Sequence, residues 1–523
     1  MNGLMNGQVR AALALLPDYL AQHVLLSAAA LACGILLALP LSLWAARRPR
    51  ARWVVLAVAS TVQTIPGLAL LALFYPLLLG LSAITVRVFG WQVQALGFLP
   101  SLLALTLYSM LPILRNAVAG LTGLDPAVLE AADGVGMTPR QKLLRVEAPL
   151  AAPVVMAGVR TAAVWTIGAA TLSTPVGQTS LGNYIFSGLQ TENWVFVLFG
   201  CAAAAVLALV VDQLLGIIET GAARRDMRRL AGGLAALLVA TAAAAAPLLR
   251  APVPAYVIGA KNFSEQFILA EMMQDQLRQA GADVRRKDGL GSAVVFRALA
   301  AGDIDVYVDY SGTLWTNVLG RTDSPDRAAM LAELTRQLRD RYGVVVLGPL
   351  GFENAYAMTM KAEAAGKMGV SSLDELSAHA GALRLGSDLE FLSRPEWAAL
   401  KRTYGLNFKS ERSYNPTFMY RAIESGEADV ISAFSSDGRI AAQNLVVLGD
   451  PRHAIPAYDA VILISPKRVD DRRLREALTP LVGRIPVERM REANLSVDRD
   501  ADKRSPAEAA AALSAEIGLG PRR

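Results

Sequence analysis

The sequence predicts an α-helical membrane bundle of six spans followed by a two-lobed α/β domain, and three observations predict it. Charge is divided unevenly: residues 1–250 carry 16 Lys+Arg and 9 Asp+Glu, leaving 35 and 36 of the chain's 51 and 45 to residues 251–523. Uninterrupted apolar runs are confined to the first part. The second part alternates short β-rich runs with helical patterns, the signature of a sheet covered by helices. The boundaries read as 1–223 for five spans, 224–253 for a sixth span and linker, and 254–523 for the α/β domain. A hydrophobic content of 53% excludes a disordered chain, and two cysteines, Cys33 and Cys201, exclude a disulfide scaffold. The basic balance belongs to the membrane part, so it is no argument for nucleic acid. His23, His379 and His453 are too scattered for a His-rich metal site, and neither metal nor cofactor is expected.

Stretches able to cross a bilayer, about 20 residues each, run roughly over 24–46, 53–80, 95–114, 150–172, 193–219 and 230–249. Arg47, Arg48, Arg50 and Arg52 follow the first, and Arg140, Lys142 and Arg145 separate the third from the fourth. Arg224, Arg225, Arg228 and Arg229 precede the sixth. These segments share one side if the N-terminus is outside, and the opposite loops hold only Arg87 as a basic residue, with Glu192 acidic. The positive-inside rule therefore places the N-terminus and residues 251–523 outside the cytoplasm. The sixth run, with Arg224–Arg229 before it and Ala242–Ala246 at its end, has the look of a signal peptide. Its place after five spans favours a retained anchor over a cleaved segment.

The loop after span three is the most informative. Asp125-Pro126 reads as a helix cap and first position, Gly134 and Gly136 as its end, and Thr138-Pro139 as a second start. Two short helices joined by a glycine turn make a compact knob. Glu130-Ala131-Ala132, Gly136 three residues on, and Val146-Glu147-Ala148-Pro149 resemble the coupling loop of ABC-importer permeases, with Val146 and Ala148 in place of Ile and Leu. That resemblance makes the bundle ABC type I importer permease-like and implies a groove in a separate ABC ATPase subunit that seats Glu130, Ala131, Ala132, Gly136 and Pro149. The phosphate-cradling GxxxxGK[ST] loop does not occur; the Gly366-Lys367 pair continues with Met368. ATP hydrolysis is thus expected on another polypeptide. Gln63-Thr64-Ile65-Pro66-Gly67, Pro175-Val176-Gly177 and Gly182 read either as kinks and close packing or as breaks lining a path. Of the ionisable groups within spans, Arg160, Asp212 and Glu219 lie toward span ends or the bundle interior, which disfavours a proton-coupled carrier.

In the second part, residues 295–311 and 419–435 repeat at an offset of 124: Arg297 meets Arg421, Gly302 meets Gly426, Asp305 meets Asp429 and Tyr310 meets Phe434. Each stretch is a helix, a glycine stop and a strand ending on an aromatic ring, so two similar lobes follow. Ligands of open α/β sheets sit at the carboxyl ends of strands, which sets Tyr310 and Phe434 on the two sides of a cleft. The segments from Gly259 to Gln266, Asp305 to Thr313, Leu350 to Tyr356, Glu390 to Pro395 and Asp437 to Ile440 resemble substrate-binding proteins of osmoprotectant importers, whose ligands are glycine betaine, choline, carnitine and similar quaternary amines. The domain is by that resemblance periplasmic-binding-protein-like. A trimethylammonium group cannot donate a strong hydrogen bond and is held by aromatic faces. The resemblance implies a cage of Tyr310, Tyr356, Phe434 and Tyr458, with Lys261 and Arg394 for the ligand carboxylate and Thr313 as a hydroxyl donor. Phe434 stands where the family usually has tyrosine, so a π-face is kept and a hydroxyl lost. Taken singly, Lys261 also reads as a solvated strand end and Arg394 as a partner of Glu390 or Glu396.

Together these features read as a fused permease and substrate-binding protein of an ABC importer in the cell's inner membrane, not an enzyme. Its expected partners are the ATPase, a quaternary-amine zwitterion, membrane lipid and a second permease copy in a homodimer. A ligand-gated channel or sensor would also join a two-lobed receptor to spans, but has no use for an ATPase socket. Which betaine-like molecule is carried is open, ergothioneine among them.

Overall fold

The computed structural model describes residues 2–90, 93–190, 193–224, 226–246, 255–321, 323–388, 390–499 and 502–520. Arg225 and Glu192, used in the orientation argument, lie outside these ranges. The chain divides into two compact units, Met1–Phe186 with Val195–Ala251, and Ser187–Trp194 with Pro252–Arg523.

The first unit is helical: α1 Asn2–Ala46, α2 Pro49–Thr64, α3 Gly67–Phe89, α4 Phe98–Thr122, α5 Pro126–Gly134, α6 Pro139–Lys142, α7 Ala148–Ala170, α8 Gly182–Gln190, α9 Trp194–Ala223 and α10 Met227–Ala245. Six helical stretches among the described residues are long and apolar enough to cross a membrane: Gln8–Ala46, Gly67–Phe89, Phe98–Thr122, Pro139–Val176, Trp194–Ala223 and Met227–Ala245. The first begins well before residue 24. Asp18 and Pro17 mask the extension in the sequence, but Ala12, Leu16, Tyr19 and Leu20 pack with Leu181, Tyr184 and Phe199, and the Tyr184 hydroxyl donates to the Ala12 carbonyl at 2.6 Å.

The run 53–80 is not one helix. It breaks at Ile65-Pro66, where both residues are extended and α3 restarts at Gly67. Proline has no N–H to continue the ladder and restricts the residue before it. The freed Ile65 carbonyl accepts the Tyr108 hydroxyl from α4, as a polar group in hydrocarbon requires. Helix α4 lies at the centre of the bundle, and its neighbours reach it through glycines. A Cβ on Gly158 of α7 would stand 2.6 Å from Asn116 Cβ and 2.8 Å from the Pro112 carbonyl oxygen. Without a hydrophobic drive between helices in lipid, such close backbone approach supplies the packing.

The second unit holds two five-stranded sheets built from β1 Ala255–Lys261, β2 Asp283–Leu290, β3 Val306–Tyr310, β4 Val345–Glu353, β5 Tyr356–Lys361, β6 Arg384–Asp388, β7 Ser410–Tyr414, β8 Val430–Phe434, β9 Leu445–Val447 and β10 Asp459–Ile464. Their orders are β2-β1-β3-β10-β4 and β7-β6-β8-β5-β9. In each, three parallel strands carry an antiparallel pair on one side. The repeat at offset 124 falls on the same piece of each lobe: helix Ser292–Ala301 into β3, and helix Pro416–Ser425 into β8. Gly302 and Gly426 take φ of 79° and 77°, a left-handed turn that a Cβ disfavours. Asp305 and Asp429 do the same work in both lobes. Each accepts a backbone N–H from the neighbouring strand through its side chain, Val257 N and Arg384 N, both at 2.8 Å. Each then returns its own N–H to that residue's carbonyl. The chain passes between lobes at Asn354–Ala355 and again after Phe434; Ala355 and Ser435 bond reciprocally there, through Ala355 N to Ser435 Oγ and Ser435 N to Ala355 O.

Candidate functional site

Tyr310 ends β3 and Phe434 ends β8, the equivalent strand ends of the two lobes. Phe263, in the turn after β1, stands between them, its ring centroid 6.2 Å from Tyr310 and 6.4 Å from Phe434, the latter face parallel within 3°. Tyr356, which opens β5 opposite Phe434 in the register, lies 5.2 Å from Phe434, 6.0 Å from Tyr458 and 4.8 Å from Phe391. The four expected cage residues therefore converge, and two further rings, Phe263 and Phe391, join them. Both stand inside the motif segments quoted above, where the run of neighbours already matching hid them.

The tyrosine hydroxyls are taken by carboxylates. Tyr310 donates to Glu265 Oε1 at 2.6 Å, and Tyr458 donates to Glu396. Such anchors fix ring orientation and leave the faces for contact. Glu396 also accepts from Thr316 at 2.9 Å. Tyr458 and Thr316 belong to the first lobe and Glu396 to the second, so the lobes are clasped across the cleft. Burial and the Glu265 carboxylate push the Tyr310 hydroxyl well above its usual range, so it remains a neutral donor.

Lys261 and Arg394 were expected as a pair of cations for the ligand carboxylate. The structure commits Lys261 elsewhere: its ammonium, 3% exposed, forms an ion pair with Asp309, itself 1% exposed. A buried charge without such a partner is costly. The ammonium still lies 5.2 Å from the Tyr310 ring centroid. Arg394 meets both partners named for it, Glu396 at 3.0 Å and Glu390 at 3.4 Å. Its Nη2 also reaches Thr313 Oγ1 across the cleft at 3.4 Å, and its plane lies 5.2 Å from the Tyr356 ring centroid. Burial works against the guanidinium's charge, but Tyr356, Tyr458 and Glu396 hold its pKa above the ordinary value.

In the helical unit, Asp125 caps α5 by accepting Ala127 N at 2.9 Å. Thr138 and Gln141 form a reciprocal capping box at the start of α6. Gly136 takes φ 73°. Glu130, Ala131, Gly136 and Pro149 are exposed and Ala132 is buried, so the knob is a preformed surface held from beneath. Lys142 pairs with Asp133 at 2.7 Å across its two helices. The segment after α7, Thr171–Val176, is a 3-10 turn ending at Gly177 with φ 81°. Leu172 from this turn packs beside Tyr108 and Ile65, so the two irregular stretches expected from Pro66 and Pro175 meet at one place. Arg160 on α7 is clamped by Asp212 at 2.8 Å and Glu219 at 2.7 Å, both on α9.

A membrane bundle with an exposed helical knob, on one chain with a two-lobed aromatic-lined receptor, defines an importer permease fused to its receptor. Residues 254–516 match the family described as the substrate binding domain of ABC-type glycine betaine transport systems. Residues 38–224 match the inner membrane component of binding-protein-dependent transport systems. The ergothioneine transport permease/ergothioneine binding protein EgtU of Helicobacter pylori (strain G27) is 28% identical over 470 residues, covering 86% of this chain and 81% of that protein. The choline transport system permease protein OpuBB of Bacillus subtilis (strain 168) is 37% identical over 209 residues, 40% of this chain and 89% of that protein. A solved structure of a glycine betaine/carnitine/choline ABC transporter aligns at TM-score 0.45 and 25% identity, covering 50% of this chain and 99% of that one. The chain belongs to the substrate-binding family of ABC-type glycine betaine transport systems, with the permease component on the same polypeptide.

Proposed function

We propose that the receptor captures a quaternary-amine zwitterion outside the cytoplasm and passes it to the permease, driven by a separate ATPase subunit. The observation that carries this is the aromatic enclosure of Tyr310, Tyr356, Phe434 and Tyr458, with Phe263 added, beside the guanidinium of Arg394. Faces of this kind hold a desolvated alkylammonium by roughly 2 kcal/mol or more, and Arg394 with Thr313 is read as the partner of the ligand carboxylate, which would compete there with Glu390 and Glu396. Lys261 serves from behind, its charge spent on Asp309 and its stem fixed beside Tyr310. The relatives' printed substrates, ergothioneine in one and choline in another, share the quaternary ammonium.

The knob of Glu130, Ala131, Ala132, Gly136 and Pro149 is read as the coupling loop that seats in a groove of the ATPase. Because a pair of ATPases needs a pair of coupling loops, two copies of the permease, embedded in inner-membrane lipid, make one transporter. The N-terminus and receptor lie outside the cytoplasm, following the arginine loops. Calorimetry on the purified full chain in lipid nanodiscs tests the substrate class. Some member of a panel of betaines, choline and carnitine should bind at micromolar affinity or tighter, and Tyr310→Ala should weaken it at least tenfold. A panel that does not bind at all refutes the class.

A further inference from the structure

Arg160 on α7 and Arg115 on α4 both lie well inside the spans of the helical unit, and they are treated differently. Arg160 has two carboxylates, Asp212 and Glu219. Arg115 is exposed and has no carboxylate at ion-pair distance among the described residues; its guanidinium bonds only Ser60 Oγ of α2, from Nη2 at 3.1 Å. The apolar run 95–114 stops just short of this arginine, but α4 continues to Thr122. A helix of 25 residues is about 37 Å long against a hydrocarbon core of about 30 Å, and Arg115 stands about 10 Å from its end. Its Cα is therefore at hydrocarbon depth. Arginines so placed send their stems toward the nearer headgroups. This one turns instead to Ser60, about 16 Å along α2 from its first residue. An ionisable group inside a span that the protein leaves unpaired marks a route for an ion or a substrate.

Two turns earlier on the same face of α4 stands Tyr108, half-buried. Gln63 Nε2 of α2 donates to the Tyr108 carbonyl at 3.5 Å, and the Tyr108 hydroxyl donates to the Ile65 carbonyl at the break between α2 and α3. The ring thus lies between the levels of Gln63 and Ile65, roughly 4–8 Å along α2 from the level of Ser60. Phe74 and Leu172 share its cluster, and a Cβ on Gly67 would come within 3.9 Å of its hydroxyl. With the hydroxyl committed to a carbonyl, what the tyrosine has left to offer is its ring. One seam between α2 and α4 therefore sets an unpaired guanidinium and an aromatic ring a few ångströms apart along the path of the helices. Those are the two elements that the receptor brings together in Arg394 and Tyr356.

We propose that this seam is a second binding site for the zwitterion, a way-station inside the permease, in which Arg115 takes the carboxylate and the face of Tyr108 the quaternary ammonium. The inference rests on the quaternary-amine reading above. The anion that Arg115 lacks in the protein arrives with the substrate, so the cation is matched only while cargo passes. Tyr108 supplies a single ring where the receptor supplies an enclosure, which makes the way-station the weaker site, as a conducting path requires of a site that must also let go.

The test is uptake into proteoliposomes by the full chain reconstituted with its ATPase subunit, offering glycine betaine and carnitine, which carry a carboxylate, and choline, which does not. Arg115→Gln should lower uptake of the carboxylate ligands tenfold or more, with choline uptake and receptor affinity by calorimetry within twofold and the bundle's melting temperature unchanged. Arg115→Lys, which keeps a charge, should recover at least a third of the lost uptake. Where the unaltered chain carries no choline, a tenfold loss at unchanged receptor affinity, melting and ATPase co-purification sustains the proposal. A loss smaller than tenfold overturns it. So does an equal loss for all three ligands, or a lowered melting temperature in both variants, either of which assigns Arg115 to packing or to a carboxylate of a second copy. In those cases the quaternary-amine reading stands. A receptor that binds none of the three ligands overturns that reading and the way-station together.

Discussion

Gly312 is the position at which one added methyl group tests the site most directly. It follows Ser311 at the end of β3, and a Cβ there would lie 2.4 Å from Cε2 of Tyr458 and 2.6 Å from both Cδ2 and Cζ. Carbon atoms in contact sit about 3.5–4.0 Å apart, so Gly312→Ala forces a separation of roughly 1 Å. The ring cannot yield freely. Tyr458 is 1% exposed, its hydroxyl is held by Glu396, and Glu396 is held in turn by Arg394 and Thr316. Moving the ring therefore disturbs the cage wall and the cross-lobe clasp together. Overpacking of this kind costs about 1–3 kcal/mol, which should lower the receptor's melting temperature by several degrees and ligand affinity by about tenfold. The assay is thermal unfolding with ligand calorimetry on the same nanodisc preparation. Gly366→Ala is the control: it lies within helix Ala362–Met368 with nothing within 4 Å of its would-be Cβ, and should be neutral or stabilising by about 0.4–1 kcal/mol. A Gly312→Ala chain that melts and binds as the unaltered protein does would refute the close-packed wall.

Gly158→Ala should push α7 from α4 at Pro112 and Asn116, lowering the bundle's stability in detergent by about 1–3 kcal/mol with receptor affinity unchanged; an unaltered melting curve contradicts this. Glu130→Ala with Gly136→Ala, the latter straining a φ of 73° by about 1 kcal/mol, should abolish co-purification of the ATPase subunit and uptake while ligand binding persists. Retained uptake sinks the coupling-loop reading. Burial pushes the Asp498 carboxyl from 3.8 up to about 6, with Arg439 opposing. The folded chain therefore holds this proton more tightly than the unfolded chain. The associated stability is fully present below about pH 3.8 and is lost as pH rises through 6. Asp498→Asn should accordingly stabilise the receptor at pH 8 by up to ~3 kcal/mol and do little at pH 4. Chemical unfolding at the two pH values checks it, and an equal gain at both contradicts the assignment.

What could be read without coordinates was whatever local chemistry encodes. Apolar runs and arginine loops marked the spans, because a bilayer filters for length and charge along the chain. Caps at Asp125 and Thr138 marked the knob, since capping bonds join residues two or three apart. The repeat at offset 124 marked two lobes, and Asp305 and Asp429 prove to bond their neighbouring strands identically. Local pattern failed where distant groups intervene. The start of α1 was hidden because its first turns are stabilised by Tyr184, 172 residues away. The break at Pro66 needed the Tyr108 hydroxyl to satisfy Ile65.

The same division holds within the receptor site. The identities of the cage rings were legible, as each stands in a motif or at a repeated strand end. The partner of Lys261 was not: it pairs with Asp309, 48 residues along. Glu265 and Asn354 sat inside quoted motifs without a role. Asn494 carried no signal at all, for it joins Glu265 across 229 residues from an ordinary amphipathic helix. By itself the sequence determined the two units, the basic loops that signal a side of the membrane and the rings that converge at the cleft. Only the tertiary structure decided which charges pair and which stay unpaired, because both depend on distances of about 3 Å between segments that no sequence spacing brings together.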